Sequence, residues 1–507
     1  MIRFAGENTI ADAASLSMRN GECVRAVNCD IDDSGNAVRR DGFTLVTGGE
    51  TTSLWGNYCV QNSKICYFDG ATVSPMSDEI IVLAEVHFEQ VNNIVVFSDG
   101  LVYGKIDNGT ITVLDNTTDW NALANDVTQW VENHAPADFQ AVVSNFEVDT
   151  FKLSTQAGKH LVFADGCVYF AVAVGDASFV FRTDTFNVDR TDIRFNVVAG
   201  FPQTITAIRA VADALYVGTT GGTYFLEGHA LVVLPDGSKV GGFTQKKIDA
   251  YGIIEGTDLT ISGEAIPSIQ TSAEVIMWTC RQGIMVGLPN GNVINLSSRK
   301  VDFPNVAKGA AVLRDHNTLK IKQYIVCFDV DVLDGAGAIV AVDLTGTRVV
   351  NLNSMVRPDG SHSYAHSRYE RFPFNSLTRI GNDCYGANAA GIFLIGGETD
   401  NGAQIDGYAR SLVTDFAVKE QKNVPDVYAH ARCEGSLLIS TFVDEVLRSD
   451  DVPVSFDGNP GIHRRRCELP LGVFGTSWQF MFKNQDGNRF TVAGLDPVAT
   501  KSVSRVS

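Results

Sequence analysis

Apolar and polar residues alternate along most of the chain in short runs, broken every few positions by Gly, Asp or Asn. Alternation of period two places apolar side chains on one face of an extended strand, and the breaking residues are those that supply tight turns. The pattern therefore predicts antiparallel strands joined by hairpins. It recurs in VVFSDGLVYGKIDNGTITVLD from Val95, HLVFADGCVYFAVAVGDASFVF from His160 and ALYVGTTGGTYFLEG from Ala214. It returns in IMWTCRQGIMVGLPNGNVINLS from Ile276, YIVCFDVDVLDGAGAIVAVDLTGTRVVNL from Tyr324 and GNDCYGANAAGIFLIGG from Gly381. Successive starts lie roughly 50 to 65 residues apart, longer and less regular than the about 40 to 50 residues of well-marked propeller blades. The fold class read from this is mainly β, with β-propeller-like repeats of antiparallel strands and a small helical insertion. Radial repetition of hairpins into four-stranded blades protects sheet edges in so long a β chain. A pair of β-sandwiches satisfies the same alternation and stands as the alternative.

One stretch breaks the period. From Thr117 to Phe146, residues Trp120, Leu123, Ala124, Val127, Trp130 and Val131 fall at helical spacing, with Thr118 or Asp119 as cap and Pro136 as punctuation. This predicts a helical insertion at about 117–146, with Trp120 and Trp130 as its anchors or as contacts to a neighbouring subunit. The ends also differ from the repeats. Residues 1–50 form an N-terminal segment of extended pieces around a DDSGN turn, 51–450 the propeller-like body, and 451–507 a C-terminal hairpin segment with Trp478, Phe480 and Phe482 on one face. A propeller joins its ends, and these segments are candidates for the closing blade.

With 507 residues and 45% hydrophobic content, the chain can bury a large core. No apolar run approaches the about 18 residues of a membrane-spanning helix, and the start lacks a basic-then-apolar secretory signal, so a soluble protein made in a cytoplasm is expected. The ten Cys include no CxxC and sit mostly in apolar runs, which reads as reduced, buried thiols. A net charge of −19 argues against gripping duplex nucleic acid, which needs cations on phosphates, yet suits a surface along which DNA slides.

Strong catalytic motifs are missing: there is no G-x-S-x-G, HExxH, Walker loop or strand-linked GxGxxG. His362 and His366 are the only local histidine pair, in a polar stretch that reads as a solvated loop. Asp30, Asp32, Ser34 and Gly35 imitate a calcium loop, but Asp41 stands where the bidentate Glu belongs, so a hairpin turn is the better reading. A second acidic run, Asp329, Asp331 and Asp334, reads as a wet strand edge. The nearest match to a glycan-hydrolase S-x-D-x-G-x-x-W box, from Ser455, lacks its Gly and Trp. No cofactor or metal is expected. Arg464, Arg465 and Arg466 form the densest basic patch, a candidate for pairing with acidic neighbours or another subunit.

The N-terminal RAVNCDIDDSGNAVRRDGF, through Asn28, Asp32, Gly35, Arg39, Arg40, Gly42 and Phe43, resembles the opening of tail proteins of double-stranded DNA phages. The segment from Ile208 to Gly228, through Leu215, Val217, Gly218, Thr219, Gly221 and Gly222, resembles a blade of the nozzle, or tail tubular hub, proteins of short-tailed phages. The resemblance covers about a fifth of the chain directly. It implies a structural virion protein with no catalytic residues: a homohexameric ring around the DNA exit channel that docks fibres and adaptor proteins, with DNA only passing through the lumen. The alternative is a glycan-binding or glycan-cleaving propeller, because fold alone does not fix function.

Overall fold

The computed structural model describes residues 1–501 except 5, 9–21, 78–79, 81, 83–84, 114–157, 175–176, 190–196, 234–238, 298–302, 304–305, 317, 329–330, 334–338, 343–345, 357–361, 418–419, 457–459 and 471. The expected helical insertion at 117–146, with Trp120 and Trp130, lies outside these residues, as do Asp329 and Asp334.

Strand–turn–strand units dominate because their turns carry the right residues. Asn62-Ser63, Asn108-Gly109 and Asp165-Gly166 each have two successive positive φ angles, the backbone of two-residue hairpin turns whose twist matches the strands they join. Four-stranded antiparallel units follow in sequence at Thr51–Pro75, His87–Val113, Lys159–Phe201, Ile205–Asp249 and Leu259–Asn295. A sixth contains Gly309–His316, Ile321–Phe328, Thr347–Asn351 and His366–Tyr369. Its second strand pairs with Thr347–Asn351 across an inserted two-stranded ribbon, Asp331–Leu333 with Ile339–Val342, so the hairpin read from Tyr324 is interrupted. The seventh holds Ser376–Ile380, Asp383–Asn388 and Gly391–Ile395, and its outermost strand is Phe43–Gly48 from the other end of the chain.

The packing closes these units into a ring. Each of seven apolar clusters joins one blade to the next, and the last joins Leu54, Cys59 and Phe68 of the first blade to Tyr385, Ala387 and Ile392 of the seventh. Strands inside the blades, such as Ala214–Thr219 and Gly283–Gly287, are buried along their whole length because a blade packs on both sides. The architecture is a β-propeller of seven blades among the described residues. All ten cysteines are buried and free. No helix among the described residues is long and apolar enough to cross a membrane.

The C-terminal strands do not enter the closing blade. Trp478–Asn484 pairs with Tyr408–Ser411 and Ser436–Val443, and Phe490–Lys501 pairs with Ala37–Arg39 and Lys422–Cys433. Together with Cys23–Val27 and Cys29–Ile31 they form a two-sheet sandwich around Phe4, Val427, Ile439, Trp478, Phe480 and Phe482. Both chain ends thus build one body, and the propeller is inserted between them. Its sixth blade runs on into the sandwich, because Cys23–Val27 pairs in parallel with the blade's outermost strand through Val27 and Arg368.

Candidate functional site

Two groups of buried polar residues stand out: the junction between sandwich and propeller, and the central channel.

The N-terminal motif builds the junction. Arg40 is fully buried, and all five of its N–H donors are used. They reach the Asn28 side-chain oxygen at 2.8 Å, the backbone carbonyls of Asp41 and Glu370 at 2.9 Å, and the two Asp400 carboxylate oxygens at 2.7 and 2.6 Å. Asn28, at φ 51°, also accepts from the Glu370 amide and donates to the Asp406 carbonyl. Beside it, Asp30 accepts from Gln323 and Tyr369. Burial works to raise the Asp30 carboxyl, but the His316 hydrogen bond and the Arg314 charge outweigh it and hold the group below its usual range. Arg39 reaches the Gly487 carbonyl and Glu398. Gly42 passes so close to the bend that follows the seventh blade that an added Cβ would lie 2.0 Å from the Thr399 carbonyl oxygen. Phe43 stacks edge-on against Phe372, Phe374 and Phe393. Asp32 caps its turn through the Ser34 and Asn36 amides, with Gly35 at φ 76°, so the calcium-like run is a hairpin.

The blade motif from Ile208 to Gly228 is interior packing. Leu215 and Val217 sit in the cluster between the third and fourth blades, and Thr219 accepts from the Gly221 amide. Gly221 and Gly222 do not adopt the positive φ that a glycine turn suggests. Cβ atoms there would meet the flexible ends of the Gln203 side chain at 2.2 Å and the Lys247 side chain at 2.5 Å, whereas at Gly218 the obstacle is the branched Ile253. Arg464 and Arg466 find partners within the chain, Asp496 at 3.4 Å and Asp426 at 2.9 Å, and Arg464 also lies over the Tyr428 ring. Arg465 is half-buried on the opposite face of that edge strand. His362 is exposed as expected, but His366 is buried, because it opens the outermost strand of the sixth blade.

The channel holds chemistry that none of these motifs announces. Ser53, His87, His160, Arg209, Leu259, Gly309 and Ser376, one from the innermost strand of each blade, line a cavity of about 130 Å³. His87 and His160 meet edge-on, with ring centroids 4.6 Å apart. Glu255, from the loop leading into the fifth blade, brings a carboxylate oxygen so that one donor atom from each of the three residues lies within 4.8 Å of the others. Burial, reinforced by the charges of Lys159, Arg209 and Lys308, pushes His87 down to about 3; burial and His87 itself push His160 well below its usual value. Both imidazoles are therefore neutral at pH 7. Burial raises the Glu255 and Glu89 carboxyls, and Glu85 adds to the effect at Glu255. Two ion pairs flank the group, Arg209 with Asp258 at 2.7 Å and Lys308 with Glu85. Sequence reading missed this cluster because its members are far apart in the chain. One signal was present: His87 and His160 each stand in the innermost strand of successive blades, five residues before the turns that begin at Asn92 and Asp165.

No protein-family model matches the chain, and no curated protein matches it in sequence. Among solved structures it is similar to the extracellular domain of the putative one component system BT4673 from B. thetaiotaomicron, at 9% identity and a TM-score of 0.39, covering 70% of this chain and 40% of that one. It is also similar to BBS1N in complex with ARL6DN (10% identity, TM-score 0.35, 70% of this chain and 96% of that one) and to the Dos1 propeller (11%, 0.29, 88% and 94%). None of the three is a tail-nozzle protein. The fold assignment rests on the sheets and on the ring of interblade cores.

Proposed function

We propose that the chain is a structural virion protein of a short phage tail, not an enzyme. Six copies form a ring around the DNA exit channel and dock fibres and adaptor proteins, and DNA only passes through the lumen. The observation that carries this reading is the junction. The residues that resemble the phage tail opening are the ones that weld the sandwich to the sixth and seventh blades, through Arg40, Asn28 and Asp400. A part that must hold its shape while a genome moves past it benefits from two bodies joined by a continuous sheet and a buried, fully bonded charge pair. The acidic balance of −19 suits a lumen that repels phosphate.

The alternative, a glycan-binding or glycan-cleaving propeller, would draw on the channel carboxylates Glu85, Glu255 and Asp258. Against it, two of these are held in ion pairs. Light scattering and electron microscopy of the purified full chain test the proposal. Six-membered rings with a central opening are expected. A monomer that binds or cleaves glycans on an array and in a hydrolase screen would overturn it.

A further inference from the structure

We propose that His87, His160 and Glu255 bind a single divalent transition-metal ion of the zinc class, which ties the second, third and fifth blades together across the channel. The inference concerns the propeller alone and stands whatever the chain assembles into.

Four observations support it. First, the donor set is two imidazoles and a carboxylate, which suits zinc rather than calcium or magnesium, whose sites are built from oxygen. Its donor atoms lie within 4.8 Å of one another. Around tetrahedral zinc, with bonds of about 2.0–2.1 Å, they would close to about 3.3 Å, a movement small rotations of the Glu255 and His87 side chains can supply.

Second, the Nε2 atom of His87 is buried without any hydrogen-bond partner, an arrangement that costs stability unless something occupies the lone pair or takes the proton. Third, the backbone commits His160 to this position. The His160 backbone is held at φ 55°, an uncommon conformation for a residue with a side chain, so local strain is accepted to place this imidazole.

Fourth, an entry path exists. Glu255 lines a cavity of about 600 Å³ between the fourth and fifth blades, while His87 and His160 line the channel, so the cluster sits between two partly open spaces. The surrounding charges nearly balance: Glu85, Glu89 and Asp258 face Lys159, Arg209 and Lys308, and Arg209 and Lys308 are already paired. Glu255 then supplies the charge that meets the ion.

The experiment strips the purified full chain with a chelator, then titrates Zn²⁺ by calorimetry and follows thermal unfolding, with Co²⁺ as a spectroscopic probe. One equivalent per chain is expected, with a rise in melting temperature and Co²⁺ absorption typical of nitrogen and oxygen ligands. Glu255→Gln and His160→Asn should each weaken binding by at least about 10–100-fold. Asn tolerates a left-handed backbone, so His160→Asn preserves the fold, which circular dichroism checks. A control, His463→Ala on the exposed edge strand, should bind like the parent. No saturable uptake by the parent, or equal uptake by both ligand variants with their folds intact, would overturn the proposal.

Discussion

The junction and the channel are both buried and polar, yet they are finished differently. At the junction every donor of Arg40 has an acceptor, and the Asn28 side chain uses both its oxygen and its amide. In the channel His87 keeps a nitrogen unbonded, and its carboxylate neighbours are raised by burial. A saturated network can only hold a shape, whereas an unsaturated one retains capacity to take a ligand. The contrast holds for the Arg40 cluster and not for the whole junction, because Asp30, Arg39 and Gln323 beside it each keep one buried polar atom without a partner.

The largest effect should come from unbalancing the saturated network. Arg40→Ala leaves the Asp400 carboxylate buried and unpaired, and should cost about 3–5 kcal/mol in chemical denaturation. Replacing both with apolar residues, Arg40→Met with Asp400→Leu, should recover most of that loss. If the double variant is as unstable as the single one, the pair is not what the junction depends on. Next, Gly42→Ala pushes a methyl into the Thr399 carbonyl and should cost about 1–3 kcal/mol by the same measurement.

The channel answers to pH instead. The His87 and His160 values are depressed in the folded state, so the unfolded chain takes up protons first as pH falls below about 6.5, and stability rises with pH across that window. Each imidazole should contribute a slope of up to about 1.4 kcal/mol per pH unit as pH drops from 6.5 toward 3 for His87, measured by denaturation at several pH values. His87→Phe should flatten the profile; an unchanged profile would mean that the imidazoles are not buried neutral. Asp30, whose carboxyl is depressed, adds a loss in the same direction that begins only as pH approaches the carboxylate range. The smallest effect is expected at the surface: Arg466→Ala removes a solvent-exposed pair with Asp426 and should leave the denaturation midpoint nearly unchanged.

What could be read from the sequence follows the range of the interactions. Hairpins such as Ile94–Ser98 with Tyr103–Asp107 were legible because their pattern and turn lie within a few residues of each other. The structure adds what distance hides. Nothing near Phe43–Gly48 announces a partner at Gly391–Ile395, and Ala37 gives no local hint of Val492. The Gly221-Gly222 pair shows the limit of turn rules, since neither glycine has the positive φ that such a pair suggests. The candidate site was hidden for the same reason: His87, His160 and Glu255 become neighbours only once the ring has closed. Lining up the repeats by their first strands would have brought the two histidines into register.

Ring closure also sets a timetable. The strand Phe43–Gly48 leaves the ribosome roughly 350 residues before the blade it completes, a delay of about 20–70 s at about 5–20 residues per second. For that interval a strand carrying Phe43, Leu45 and Val46 has no edge to join, and the sandwich strands beside it wait longer still. The nascent protein must therefore keep this strand from pairing with another chain until its partner strand arrives, which makes the order of synthesis part of the cost of this topology.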